Sequence, residues 1–441
     1  MDIGLIEDLN LRMEVDYIDM INYPLAHNDF SLIKDIYLIN QSKIESINNI
    51  NIRIYSNSKF IFDYEKNIPN ISNDNHLTIP APKVEFNYDF FRGVSERIKT
   101  HFFIEIKNEN EEVIFNKAYK INIMPFQHWL GTNIYPQLTA AYIVPNDQEV
   151  KRIVSQAGEK LKTWTGSPSF DGYQSNQAEN VRMQAAAIYA SLQKENIAYK
   201  NPPASFERFG QNIRYPQEII QYKNGTCLDL AFLLAACLEA VGINPLVIFI
   251  NEHAFVGFWL QDKNFTESCV NDYTSLTKRF SKGIHEIELI EATSLVNGKN
   301  YSFEEAVQLG HQNLDTSYTF DCVIDVVTAR HLGFNPVITK DQQTEFVMTG
   351  YGQNEITTEA PTTIFEQHSN IEYKINPLEK TDIWSRNLLD LTLRNSLVNF
   401  KINKNALQLM VYDVATLEDE LATSNKFKII EKPENLTNAE T

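Results

Sequence analysis

The stretch KNGTCLDLAFLLAACLEAVG, residues 223–242, does most to limit what this chain can become. It predicts a helix marked at both ends. Thr226 has the side-chain oxygen that an N-cap needs, and Gly242 suits the left-handed position just past a helix end. Between them Leu230, Leu233, Leu234, Cys237, Leu238 and Val241 form an apolar stripe that needs a core to face. Cys237 falls within the stripe and reads as core. Cys227 stands at the helix opening, where unpaired N–H groups and the helix dipole favour a thiolate. Its bland reading is a small buried residue; its chemical reading is a nucleophile.

A nucleophilic thiol needs a base, and the base needs a carboxylate to orient it. INPLVIFI, HAFVGFWLQD and HEIELIEATSL predict three strands downstream of the helix. His253 opens the second, sharing a face with Phe255, Gly257 and Trp259. A histidine at a strand's leading end can project over a helix terminus packed beside it. Glu291 stands at the end of the third strand and is the first candidate for the acid. Asp272, nearer to His253 in sequence, is the fallback acid. The backbone N–H of Cys227 is one natural oxyanion donor, and Gln211 in FGQNIRYP is a candidate side-chain donor. Arg214 beside it could pair a carboxylate of substrate or protein. Asp229, two residues into the helix, suits stabilisation of its terminus. Tyr222 and Trp259 read as cleft walls or as core. Cys227, His253, Cys269 and His285 lack metal-ligand pair spacing, so no metal or other cofactor is expected. His311, His331 and His368 occur singly and read as structural or exposed.

Residues 1–127 predict an immunoglobulin-like β-sandwich. RMEVDYIDM, IKDIYLIN, NINIRIYS, KFIFDY, HLTIP, HFFIEIKN and VIFNKAYKINIMP are short Ile/Phe/Tyr/Val-rich runs separated by polar turns. Helical periodicity follows in PNDQEVKRIVSQAGEKLKTW, with Asn146 or Asp147 as cap, and in ENVRMQAAAIYASLQKEN. PPASFERFGQNIRYP reads as an irregular loop. Helices followed by strands make residues 128–335 an α+β domain. Residues 336–379 read as a polar linker or loop. Residues 380–441, with the amphipathic WSRNLLDLTLRNSLVNF, read as the beginning of a further helical domain in a longer protein.

A formal charge of −18 on 441 residues disfavours non-specific binding to nucleic acid or anionic membrane. No signal peptide or membrane span is expected. Four cysteines without a CxxC pair fit a reducing compartment, so a cytoplasmic protein is expected.

GTCLDLAFLLAACLEAVGINPLVIFI, NEHAFVGFWL and LIEATS resemble the transglutaminase-like superfamily over about 65 residues. The resemblance implies a papain-like core with Cys227 as nucleophile, His253 as general base and Glu291 as orienting acid. Three positions depart from the family pattern: Glu291 replaces the usual Asp, Ala292 a common Pro, and Phe255 a common Trp. More widely, the β region, QHWLG, DGYQS, PPASFERFGQNIRYP and WSRNLLDLTLRNSLVNF resemble the amino-terminal part of large bacterial superfamily-one helicase proteins. In those, a transglutaminase-like domain precedes a domain of unknown function, and some are associated with anti-phage defence. No GxxxxGK[ST] occurs in this chain.

Two functions are therefore expected. One is a cysteine hydrolase, protease or acyltransferase acting on amide bonds of a protein or peptide substrate, with water and amine both open as acceptors. The other is a catalytically inactive fold that recognises a protein partner, such as the carboxy-terminal helicase part of a larger protein.

Overall fold

Alternation of apolar and polar residues builds the first part of the chain. The computed structural model describes residues 2–6, 10–281, 283–314 and 319–338. Strands β1 (Asp2–Ile6) and β2 (Leu11–Tyr17) precede the short β3 (Met20–Ile21) and helix α1 (Tyr23–His27). Next come β4 (Ile33–Asn40), β5 (Ile47–Tyr55), β6 (Tyr64–Ile71) and β7 (His76–Pro80). After α2 (Tyr88–Arg92), β8 (Ile98–Lys107) and β9 (Val113–Ile123) complete the region. They form a four-stranded sheet in the order β1-β2-β4-β7 and a five-stranded sheet in the order β3-β9-β8-β5-β6. The period of two is visible in β5, where Ile50, Ile52 and Ile54 are buried and Asn51 and Arg53 are not.

Two strand expectations change. KFIFDY is not a strand. Lys59 takes a left-handed φ of 60°, the chain turns there, and only an isolated bridge joins Ile61 to Phe86. The polar YEKNIPNI, by contrast, is β6. It lies at a sheet edge, where Pro69 is tolerated and one apolar face is not required. Asparagine pairs bind it to β5, with Asn51 Nδ2 donating to Asn67 Oδ1 and Asn70 Nδ2 to Asn48 Oδ1, both at 2.6 Å.

The second part begins with β10 (His128–Trp129), α3 (Gln148–Thr165), capped by Asp147, and α4 (Ala178–Gln193). Short elements follow: β11 (Ala198–Tyr199), α5 (Phe206–Phe209), β12 (Gln211–Asn212), α6 (Pro216–Tyr222) and β13 (Asn224–Gly225). The expected irregular loop thus holds local structure, and its closing Pro216 starts a helix. Proline suits that first position because its missing N–H would be unpaired there anyway.

Helix α7 (Cys227–Ala240) has the predicted caps. Thr226 accepts from the Asp229 N–H, Asp229 returns a bond to the Thr226 N–H, and Gly242 has φ 78°. It is buried on all sides from Cys227 to Leu238, so it is a central helix rather than one with a single stripe. It packs against β14 (Pro245–Ile250), β15 (His253–Trp259), α3 and α4.

The remaining elements are β16 (Cys269–Val270), α8 (Tyr273–Thr277), β17 (Ile287–Ile290), α9 (Phe303–Gln312), β18 (Phe320–Asp325) and α10 (Val326–His331). The sheet here runs β16-β18-β14-β15-β17, with every pair antiparallel. A buried ionic cluster fastens its β17 edge. Glu288 accepts from Arg182 of α4 at 2.8 Å and meets His311 of α9 at 3.2 Å. Arg182 also forks onto Glu304.

The two parts share one apolar cluster. Polar bonds join them too: Asn22 Nδ2 donates to His128 O at 2.8 Å and to the Tyr142 hydroxyl at 3.0 Å. Among the described residues no helix is long and apolar enough to cross a membrane. The expected helix WSRNLLDLTLRNSLVNF, and nearly all of the expected linker, lie outside the described residues.

Candidate active site

Three backbone arrangements meet at the opening of α7. In the first, β11 runs parallel to β13, Tyr199 paired with Gly225, and the Lys200 N–H donates to Gly225 O at 2.9 Å. This sets Tyr199 beside the segment that enters the helix. In the second, β12 pairs with β10, Gln211 opposite Trp129. That closeness depends on glycine. Gly210 has φ 81°, and a Cβ there would lie 2.0 Å from Trp129 O. Gly131 is similar, with φ 83° and Arg208 O at 2.4 Å. In the third, β15 pairs with β17, Val256 opposite Ile290. Extending that register by one residue sets Glu291 across from Phe255, on the sheet face that carries His253.

The structure brings Cys227, His253 and Glu291 together. His253 Nε2 lies 2.7 Å from Glu291 Oε2. The two positions are diagonal across the strands, a separation that favours a long side chain, which is a physical reason for glutamate here. Burial by itself would lower the imidazole's pKa. Bonding to Cys227 and to Glu291 outweighs it and holds His253 up at about 10. Burial also works against the Glu291 carboxylate, yet His253 and the Thr293 N–H keep it below its ordinary value. Glu291 Oε1 accepts from that N–H at 2.7 Å, and Oε2 also accepts from Asn313 Nδ2 at 2.5 Å.

The fallback acid has a different place. Asp272 caps α8, accepting from the Thr274 N–H at 3.0 Å and from the Ser275 hydroxyl at 2.7 Å, while the carboxylate on His253 is that of Glu291. Gln211 is buried next to Thr226, the neighbour of Cys227, with Nε2 3.2 Å from Thr226 Oγ1 and Oε1 without a partner. Arg214 pairs a protein carboxylate: its Nη1 is 3.0 Å from Asp229 Oδ2, and its N–H donates to Oδ1 at 2.8 Å. Asp229 is fully buried, and burial raises its pKa against these bonds. Trp259 is core, its Nε1 donating to Asp325 Oδ2 at 3.1 Å, and Tyr222 is 60% exposed at the end of α6. Cys237 is core as expected, its thiol pushed up by burial.

Tyr199 and Asn313 escaped the sequence reading. Cys227 is 0% exposed, whereas Tyr199, 40% exposed, sits close enough for its phenol to feel both Cys227 and Glu291. Burial first, then those two groups, raises the phenol's pKa.

Known families match two separate parts of the chain. A family described as a protein of unknown function (DUF4011) matches residues 387–441. No curated protein matches the chain. Among solved structures, the chain is similar to one from Parabacteroides distasonis described as a "putative protease". The identity is 15%, over 50% of this chain and 40% of that one, with a TM-score of 0.16. The family described as a transglutaminase-like domain matches residues 156–262, a span that holds both Cys227 and His253 and ends before Glu291.

Proposed function

We propose that this chain carries a thiol-dependent hydrolase or acyltransferase acting on amide bonds of a protein or peptide. Cys227 is the nucleophile, His253 the general base and then acid, and Glu291 the orienting carboxylate. The observation that carries the reading is the 2.7 Å bond from His253 to Glu291, on an imidazole that Cys227 and Glu291 hold charged. The thiol's proton already rests on His253, and the thiolate Sγ attacks the amide carbonyl. The tetrahedral oxyanion is met by the Cys227 N–H at the start of α7. His253 then protonates the leaving amine, and a thioester remains on Cys227. Water or a second amine, deprotonated by His253, resolves it to acid or to new amide.

Gln211 fits as a second oxyanion donor when its amide is read in the opposite sense. Thr226 Oγ1 accepts from the Asp229 N–H and so keeps its own proton to donate. If Gln211 Oε1 takes that proton, its NH2 occupies the site that is now unpartnered. On the sequence resemblance alone, we further propose that the chain belongs to a larger helicase-type protein with a defence role; the family matched at residues 387–441 is one of unknown function.

One observation favours the other reading, a non-catalytic recognition fold: Cys227 is fully buried, with Tyr199 beside it. Turnover separates the two. The protein is incubated with a library of amidated peptides, with and without an added primary amine, and products are read by mass. The enzyme reading expects acid product, or amine-substituted product, that vanishes in both Cys227→Ala and His253→Ala. Equal product from Cys227→Ala would show that the site does not carry the chemistry.

A further inference from the structure

Glutamate has one more rotatable bond than aspartate, so an acid of this length needs more to hold it. Two of its fixings were described above, the Thr293 N–H on Oε1 and His253 on Oε2. The third comes from a different element. Helix α9 lies unusually close to β17. A Cβ at Gly310 would sit 3.0 Å from Ile290 N and from Leu289 C, and 3.1 Å from Leu289 O. Only a residue without a side chain lets the helix approach the strand backbone this closely. The Glu291 N–H donates to Ala306 O at 2.9 Å and fixes the register of the helix on the strand end. Three residues beyond Gly310, Asn313 closes α9. Its own N–H caps Leu309 O, which leaves the side chain to reach Glu291 Oε2 at 2.5 Å.

We propose that Asn313 is the positioning residue that makes a glutamate serve as the acid of this site. Its amide and the imidazole donate to the same oxygen, so the rotamer that satisfies Asn313 is the one that faces His253. Without it, Oε1 is held by the Thr293 N–H and Oε2 by His253 alone, so nothing fixes Oε2 independently of the imidazole it orients. This rests on the reading of Cys227, His253 and Glu291 given above.

The test is the pH profile of iodoacetamide alkylation at Cys227, located by peptide mapping, in the full chain. Asn313→Ala should slow the reaction at pH 6 by about tenfold, the scale of a modest misplacement of an acting group. The acid limb of the profile should move to higher pH. Because Asn313 acts through Glu291, Asn313→Ala should add nothing in a Glu291→Gln background. An unchanged profile in Asn313→Ala, or losses that multiply in the double variant, would overturn the proposal. If Asn313→Ala does not fold, Asn313→Ser, too short to reach Oε2, carries the same comparison. Should Glu291→Gln and His253→Ala themselves leave the profile unchanged, the reading of the site falls with it. Should they slow alkylation while Asn313→Ala does not, Asn313 alone is excluded.

Discussion

His253→Ala should slow alkylation of Cys227 at pH 6 by at least about tenfold and give it the pH profile of an ordinary thiol. The argument is one of thiolate supply. A thiol with an ordinary pKa of about 8.5 is only about 0.3% ionised at pH 6. A thiolate held against an imidazolium is present in full, and the gain is partly offset because a less basic thiolate is a weaker nucleophile. With His253 held up at about 10, the cation is present across the whole of the neutral range. Cys237 and Cys322 are buried, and Cys269 is half-buried, so the label must be mapped to its residue. Equal rates in wild type and His253→Ala would mean that the buried thiol is not activated, and would favour the recognition fold.

Folding stability should decline above pH 8.5, by on the order of 2 kcal/mol between pH 8.5 and 10. The raised His253 makes a contribution that is fully present below about 6.5 and lost as pH rises through about 10. Over that window the folded imidazole keeps a proton that the unfolded one has released. Where the decline starts reports the proton's origin. If it came from Cys227, the unfolded thiol holds a compensating proton until about pH 8.5, and stability is level until then. If Cys227 remains a thiol, the decline begins near 6.5. The ion-pair reading predicts the later onset, and His253→Ala should remove the decline between 8.5 and 10. Urea unfolding at a series of pH values measures both.

What could be read from sequence followed from physics that is local. Thr226, Gly242 and the leucines between them specify α7 without help from the rest of the chain. The runs PLVIFI and HAFVGFW are apolar enough to be strands wherever they lie. From α7, HAFVGFW and the later run HEIELIEATSL, Cys227, His253 and Glu291 follow as residues at element ends. The resemblance adds roles to that order, and the 2.7 Å bond supplies a distance it lacked.

What could not be read depends on contacts distant in sequence. Tyr199 reaches the site through a two-residue strand whose pairing with Asn224–Gly225 leaves no pattern in either segment. Asn313 looks like any polar residue at a helix end until Gly310 brings its helix against Leu289 and Ile290. Asp272 is nearer to His253 in sequence, which is what suggests it as an acid. The register of β15 on β17 favours Glu291 instead, and Asp272 is occupied at its own cap. The polar strand β6 went unseen for a similar reason: an edge strand is selected by its partner as much as by its own residues.

The most direct test of the central claim is to catch the thioester. The protein is mixed with an activated aryl ester, quenched in acid, and examined by intact mass and peptide mapping. The account predicts one acyl group on Cys227, released by hydroxylamine, absent from Cys227→Ser and much slower to form in His253→Ala. No acyl group on Cys227, or acylation at that residue with the same rate in His253→Ala, would contradict it.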